Sequence, residues 1–337
     1  MEEIDDMETY ISSTLDSAAL KAQYDEHVRQ ILKDKNILAY ILKYTVSEFA
    51  DCTIEEAKAA IEGEPEVAMH KVRPDAVRTL ENESKIPGEG KMYFDIVFCV
   101  RTLTGDKQKI YVNIEAQKSF YPGYDLVTRG IIYPARLISQ QMDVEYTADN
   151  YDGVKKVYSI WICMNAPGKK QDMKQVADSI IKYSIKPAIV YPKNKDIDNI
   201  YLGRYDLLNT VFVNLNCEKT ADSKNTLISM LSTLLSENIE PGKKKQVLEN
   251  DYGIPMSSSL ESEVCRMCNL SDIIEEKGIE KGIEKGIEKG MEKGKLTTIY
   301  DFVQSGMIAP EAGAEKLNIS VGQLKDDMQQ AGFEFPK

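Results

Sequence analysis

Met92-Tyr93-Phe94-Asp95-Ile96-Val97-Phe98-Cys99 and Ile110-Tyr111-Val112-Asn113-Ile114-Glu115-Ala116-Gln117 are two β-branched and aromatic runs, each with one carboxylate seated among apolar neighbours. Aspartate and glutamate are poor strand residues, so their place in such runs asks for a reason. Alternation puts Tyr93, Asp95 and Val97 on one face of the first strand, and Asn113, Glu115 and Gln117 on one face of the second. A turn at Thr104-Gly105-Asp106 makes the two a hairpin, and pairing through it brings the carboxylates close. Like charges repel unless a proton or cation intervenes, and oxygen donors are what Mg²⁺ takes. The pair therefore points to a Mg²⁺ (or Mn²⁺) site at Asp95 and Glu115; two carboxylates on a solvated sheet face are the alternative.

Outward from the hairpin, helical spacing predicts helices over residues 25–32 and 36–49, and a short one begun by the capping box Thr53-Ile54-Glu55-Glu56 and ended by Gly63 and Pro65. After the hairpin, Leu126, Ile131, Ile132, Leu137 and Ile138 mark a helix. Residues 154–164 are apolar and aromatic enough for a strand buried on both faces. A helix over 172–183, strands over 185–191 and 210–215, and further helices over 223–274 complete an α/β pattern with a mixed central sheet. On the helix after the hairpin, Arg129, Tyr133, Arg136 and Gln140 share a face suited to phosphate contact or to packing. Glu48 stands as a candidate accessory acid from an early helix, with surface exposure as its plainer reading.

Near the C-terminus the unit Gly-Ile-Glu-Lys, with Met once for Ile, recurs from Gly278 to Lys293. Four residues turn a helix by about 400°, so the Ile stripe advances by roughly 40° per repeat and forms no heptad seam. Glycine at every fourth place costs about 1 kcal/mol each relative to alanine. The expectation is a helical spacer over 276–295 that associates with a second copy, giving a homodimer; a flexible charged linker is the alternative. Residues 296–337 resemble a three-helix, helix-turn-helix-like tail, although Asp326 and Asp327 on its last helix repel phosphate.

With 337 residues, 42% hydrophobic and 28% charged, the chain suits one main domain, here residues 1–275, plus an appendage. No apolar run reaches the ~20 residues that span a bilayer, and the first thirty residues lack the order of a signal peptide. A cytoplasmic protein without a small-molecule cofactor is expected. The net charge of −12 argues against a protein that coats nucleic acid without specificity. Basic clusters at 155–156, 169–170, 182–195 and 243–245 read equally well as solvated surface. Six irregularly spaced cysteines read as thiols; Cys265 and Cys268 lack a second pair to complete a zinc site and read as helix packing.

The element from Asp95 through Glu115-Ala116-Gln117 resembles the PD-(D/E)XK signature as it stands in the recombination-promoting nuclease (Rpn) family, the PD-(D/E)XK nuclease family transposases. Residues 121–126 (Tyr-Pro-Gly-Tyr-Asp-Leu), 129–136 (Arg-Gly-Ile-Ile-Tyr-Pro-Ala-Arg), 157–164 (Val-Tyr-Ser-Ile-Trp-Ile-Cys-Met) and the Gly-Ile-Glu-Lys tail add to the likeness, which covers about residues 24–294. Tyr24-Asp25-Glu26-His27-Val28-Arg29 is similar to that family's opening His-Asp and later Lys, with Tyr and Arg in their places. The resemblance implies a restriction-endonuclease-like α/β core and a Mg²⁺-dependent DNA endonuclease promoting recombination. Asp95 and Glu115 would be metal ligands, Gln117 a catalytic residue where many such enzymes carry lysine, and Arg129, Tyr133 and Arg136 DNA contacts. A relative that kept the fold for DNA binding or assembly is the competing reading, favoured by Gln117 and the acidic charge.

Overall fold

The computed structural model describes residues 19–67, 83–84, 92–103, 105, 107–167, 176–191, 201–216 and 226–336. The chain divides into two units, Met1–Asp272 and Ile273–Lys337. In the first, α1 (residues 19–32) buries Tyr24, Val28, Ile31 and Leu32 along one helical stripe. Asp34 caps α2 (Lys35–Thr45); the extended Val46 ends it short of the expected residue 49, and a separate 3₁₀ turn follows at Ser47–Phe49. The expected capping box is present at α3 (Ile54–Ala59), where Thr53 and Glu56 exchange side-chain and backbone hydrogen bonds.

Gly63 and Pro65 do not simply end that helix, as expected, but lie inside a strand, β1 (Ile61–Val67). The register with its neighbour shifts between Glu62 and Glu66, and β1 lies at one end of the sheet. A bulged edge strand tolerates a proline and a glycine at positive φ that a central strand would not. β2 (Glu83–Ser84) pairs with β3 (Met92–Tyr93) in a separate ribbon. The hairpin is β4 (Ile96–Arg101) with β5 (Lys109–Ser119), antiparallel with Val97 opposite Asn113 and Ile96 opposite Ile114. The continuous strand expected over 92–99 is broken at Phe94 and Asp95. Thr104 and Asp106 of the expected turn lie outside the described residues.

β5 runs through α4 (Leu126–Ser139) to the parallel strand β6 (Lys156–Asn165), which is buried along almost its whole length, as its sequence requires. The sheet order is β1-β4-β5-β6-β8-β7, with β7 (Ser179–Ser184) antiparallel to β8 (Leu208–Asn214). The fold is α/β, a mixed six-stranded sheet flanked by helices. Residues 179–183, expected to be helical, belong instead to β7, where Ile180, Ile181 and Tyr183 favour an extended chain beside β8. Residues 185–191, expected as a strand, are irregular, and Pro187 there has no N–H to give a ladder. Residues 172–175 lie outside the described residues.

What sets α4 on the sheet is a pair of unusual residues. Pro134 inside the helix cannot donate to the Gly130 carbonyl four residues earlier, and the Thr210 hydroxyl of β8 donates to that carbonyl instead, at 2.6 Å. A Cβ on Gly130 would stand 2.7 Å from the Phe212 ring and 2.9 Å from the Thr210 methyl, so only glycine lets the helix come this close. α4 thereby covers the sheet face that carries Tyr111, Val157, Trp161 and Phe212.

α5 (Thr226–Leu235) and α6 (Pro241–Tyr252) follow. Lys244, expected on a solvated surface, is fully buried and donates to the Leu234 and Ser236 carbonyls at 3.1 and 2.5 Å and to Cys268 Sγ at 3.2 Å. The long stem of lysine buries well when every donor finds an acceptor at its tip. α7 is one uninterrupted helix, Ser258–Gln304, so the repeat belongs to it rather than standing as a separate element. In the second unit the end of α7 packs with α8 (Pro310–Leu317) and α9 (Val321–Gln330) around Ile299, Val303, Leu324 and Met328. Ser320 caps α9 by accepting from Gln323 N–H. Among the described residues no helix is long and apolar enough to cross a membrane.

Candidate active site

At the break between β3 and β4, side chains take the place of the backbone ladder. Asp95 N–H donates to Glu115 Oε1 at 3.1 Å, and Ala116 N–H donates to Asp95 Oδ2 at 2.9 Å. The two carboxylates thus each accept from the other's strand, which ties them together and ends β4 at Ile96. They lie at a cleft of about 800 Å³ lined also by Asp25, Arg29, Gln117, Tyr124, Arg129, Ile132 and Tyr133.

Glu115 is buried, and burial first, then the Asp95 charge, hold its carboxyl well above the usual carboxylate range; the Asp95 N–H, Arg129 and Asn113 oppose the shift. Burial also raises Asp95, against the pull of Ala116 N–H and of Arg29 and Arg129. Asp25 of α1 is raised by burial, and the Asp95 charge adds to this while Arg29 opposes it. Three acids displaced in one direction at one cleft, each chiefly by burial, describe carboxyls that are held out of water and gain from a cation.

Two guanidiniums face these carboxyls. Arg29, one turn after Asp25 on α1, donates to Glu26 at 2.9 Å and to Asp95 Oδ1 at 3.4 Å. Arg129 of α4 donates to the Tyr133 hydroxyl through Nε at 3.1 Å and Nη2 at 2.6 Å, and to the Tyr124 hydroxyl at 2.6 Å. Its guanidinium also lies 5.1 Å from the Trp161 ring centre. Neutral phenols hold it in place without cancelling its charge.

The residues singled out from the sequence divide here. Asp95, Glu115, Gln117, Arg129 and Tyr133 share the cleft. The Gln117 amide N–H donates to the Ser119 carbonyl at 2.6 Å, which fixes the side chain at the end of β5. Lys118 faces the other way, over the Tyr24 ring and 2.7 Å from Glu237. Arg136 is half-buried and is not among the residues lining the cleft. Glu48 does not reach the cleft; it accepts from Lys156 at 2.5 Å and from the Tyr158 hydroxyl at 2.8 Å in a different cleft. Tyr158 and Trp161 lie three residues apart on β6, so they point to opposite sheet faces. Asp25 and Arg29 of α1 line the cleft where Glu48 does not. Their signal was local: each follows a buried residue of the α1 stripe, Tyr24 and Val28, and so flanks the buried face.

The donors suit a hard divalent cation. Among the described residues no three of His, Cys, Asp and Glu are grouped tightly enough to enclose a metal ion. Mg²⁺ is commonly held through one or two carboxylates and keeps several waters, which the Asp95–Glu115 pair can provide for. One pleat before Glu115, Asn113 Oδ1 is buried with no hydrogen-bond partner, a further oxygen beside the pair. No family model, no curated protein and no solved structure matches the chain.

Proposed function

We propose that the chain is a metal-dependent hydrolase of DNA phosphodiester bonds with a PD-(D/E)XK core, promoting recombination or transposition. The observation that carries this reading is the interlocked Asp95–Glu115 pair at the head of a cleft, with both carboxyls displaced upward by burial. Three antiparallel strands β1, β4 and β5, a crossover helix and a parallel β6 support that class of core. Mg²⁺ bound between Asp95 and Glu115 would activate a water and offset the charge that develops on the phosphate. Arg129, braced by Tyr124 and Tyr133, meets the phosphate from the α4 side. Gln117 orients the attacking water by hydrogen bonding. Asp25 bears on the same cleft from α1.

Supercoiled plasmid incubated with the purified protein tests this. Nicking in Mg²⁺ or Mn²⁺ and none in EDTA is expected. Equal nicking in EDTA rejects a metal-dependent site, and no nicking in either metal leaves a protein that keeps this core for DNA binding or assembly.

A second proposal concerns the repeat. Ile279, Ile283, Ile287 and Met291 are 57, 58, 58 and 72% exposed along α7. Such a stripe in water is unfavourable, and a symmetric pair of copies is the commonest way to cover it. The full chain should therefore scatter light as a dimer, and one with residues 278–294 replaced by a Gly-Ser linker as a monomer. Identical masses for the two reject the pairing.

A further inference from the structure

The rim of the cleft differs from its floor. Tyr121, Tyr124 and Ile132 are 64, 53 and 49% exposed, and the last two line the cleft itself. Tyr121 and Tyr124 belong to one short connection between β5 and α4. The Phe120 ring meets Tyr121 edge-on at 5.1 Å, and Arg129 holds the Tyr124 hydroxyl at 2.6 Å. Two large rings are therefore presented to solvent with their orientation already set.

The charges point the same way. Among the described residues the lining includes four carboxylates, Asp25, Asp95, Glu115 and Asp125, against two guanidiniums, Arg29 and Arg129. Arg29 is paired with Glu26 and Asp95, which leaves Arg129, held by two neutral phenols, as the lining guanidinium whose charge is free to meet the scissile phosphate. Lys118, the cation next to Gln117, is on the opposite sheet face with Glu237. A protein gripping duplex DNA by its backbone typically neutralises about 6–10 phosphates, and among the described residues the lining of this cleft brings two cations to that task. Base–aromatic stacking needs no cation, and duplex bases are not free to provide it.

Resting on the hydrolase reading above, we infer that the site takes single-stranded or locally unpaired DNA, with a splayed base stacked on Tyr124 or Tyr121 beside the scissile phosphate. Paired DNA reaches the carboxylates only where it opens.

The test uses the full chain and one sequence presented as a single strand, as a duplex, and as a duplex with a central unpaired bubble. In Mn²⁺ the single strand and the bubble should be cut about tenfold or more faster than the duplex, within the roughly five- to hundredfold that one stacked base contributes. Tyr121→Leu with Tyr124→Leu should erase the preference, whereas Tyr124→Phe, which keeps the ring, should retain it. Equal cutting of all three substrates, or a preference that survives the double leucine variant, overturns the inference and leaves the hydrolase reading standing. If nothing is cut, the hydrolase reading fails, and fluorescence anisotropy on the same labelled strands still decides the inference. Tighter binding of the single strand that the leucine variant abolishes supports it; equal binding of strand and duplex overturns it.

Discussion

Asp95→Asn and Glu115→Gln should each lower metal-dependent nicking by about 10³-fold or more, which at 1.36 kcal/mol per tenfold is roughly 4 kcal/mol of transition-state stabilisation. Each change keeps the side chain's shape and removes a charge, so the metal loses a ligand while the strands stay paired. An asparagine oxygen at 95 still accepts from Ala116 N–H. The stability response has a sign of its own. Glu115 has a folded-state carboxyl raised above its unfolded value, by burial first and Asp95 second. Between those two values the folded protein binds more protons than the unfolded chain, so stability falls as pH rises through that window. Glu115→Gln removes this penalty. Its Tm should exceed that of the metal-free wild type at pH 8, and the gain should vanish below the ordinary carboxylate range, near about pH 4. Calorimetry at the two pH values reads the second effect and plasmid nicking the first. A variant that cuts at wild-type rate removes its residue from the site.

The hairpin was legible because its two carboxylates contradict their surroundings: nothing about a solvated face calls for Phe94 before Asp95 or Ile114 before Glu115. β6 was legible because an apolar and aromatic run of that length has one good use in an α/β chain. What local pattern concealed is a matter of long-range partners. Glu48 looked available until Lys156 and Tyr158, more than a hundred residues on, claimed its two oxygens. Lys244 sat between two other lysines, and the Leu234 and Ser236 carbonyls that accept from its ammonium explain its burial. β1 contains the glycine and proline that usually end structure, and it tolerates them because it is bulged and lies at an edge. Asp25 and Arg29 were marked in the sequence through the resemblance carried by residues 24–29, with Arg29 in a lysine's place, but that they turn toward Asp95 is a property of the folded chain.

Arg129→Ala should reduce nicking by about 10²-fold, the usual scale for losing one preorganised charge-stabilising group, and should also lower the Tm. Two effects underlie the loss. Arg129 opposes the rise of both Glu115 and Asp95, so without it the cleft is more negative toward a phosphate. The Tyr133 hydroxyl, on a residue only 5% exposed, also loses both of its guanidinium donors, a cost of about 1–3 kcal/mol for a buried polar group left without partners. Arg129→Lys should recover less than tenfold of the activity. A lysine ammonium is a point charge, whereas the planar fork of arginine reaches Tyr124 and Tyr133 at once and lies near Trp161. Arg136→Ala, one face-repeat further along α4 and outside the cleft, should stay within a few-fold of wild type. Arg129→Lys matching wild type would show that charge alone suffices and that the phenol brace is dispensable. An Arg136→Ala loss as large as that of Arg129→Ala would move the phosphate path along α4 and away from the Asp95–Glu115 pair.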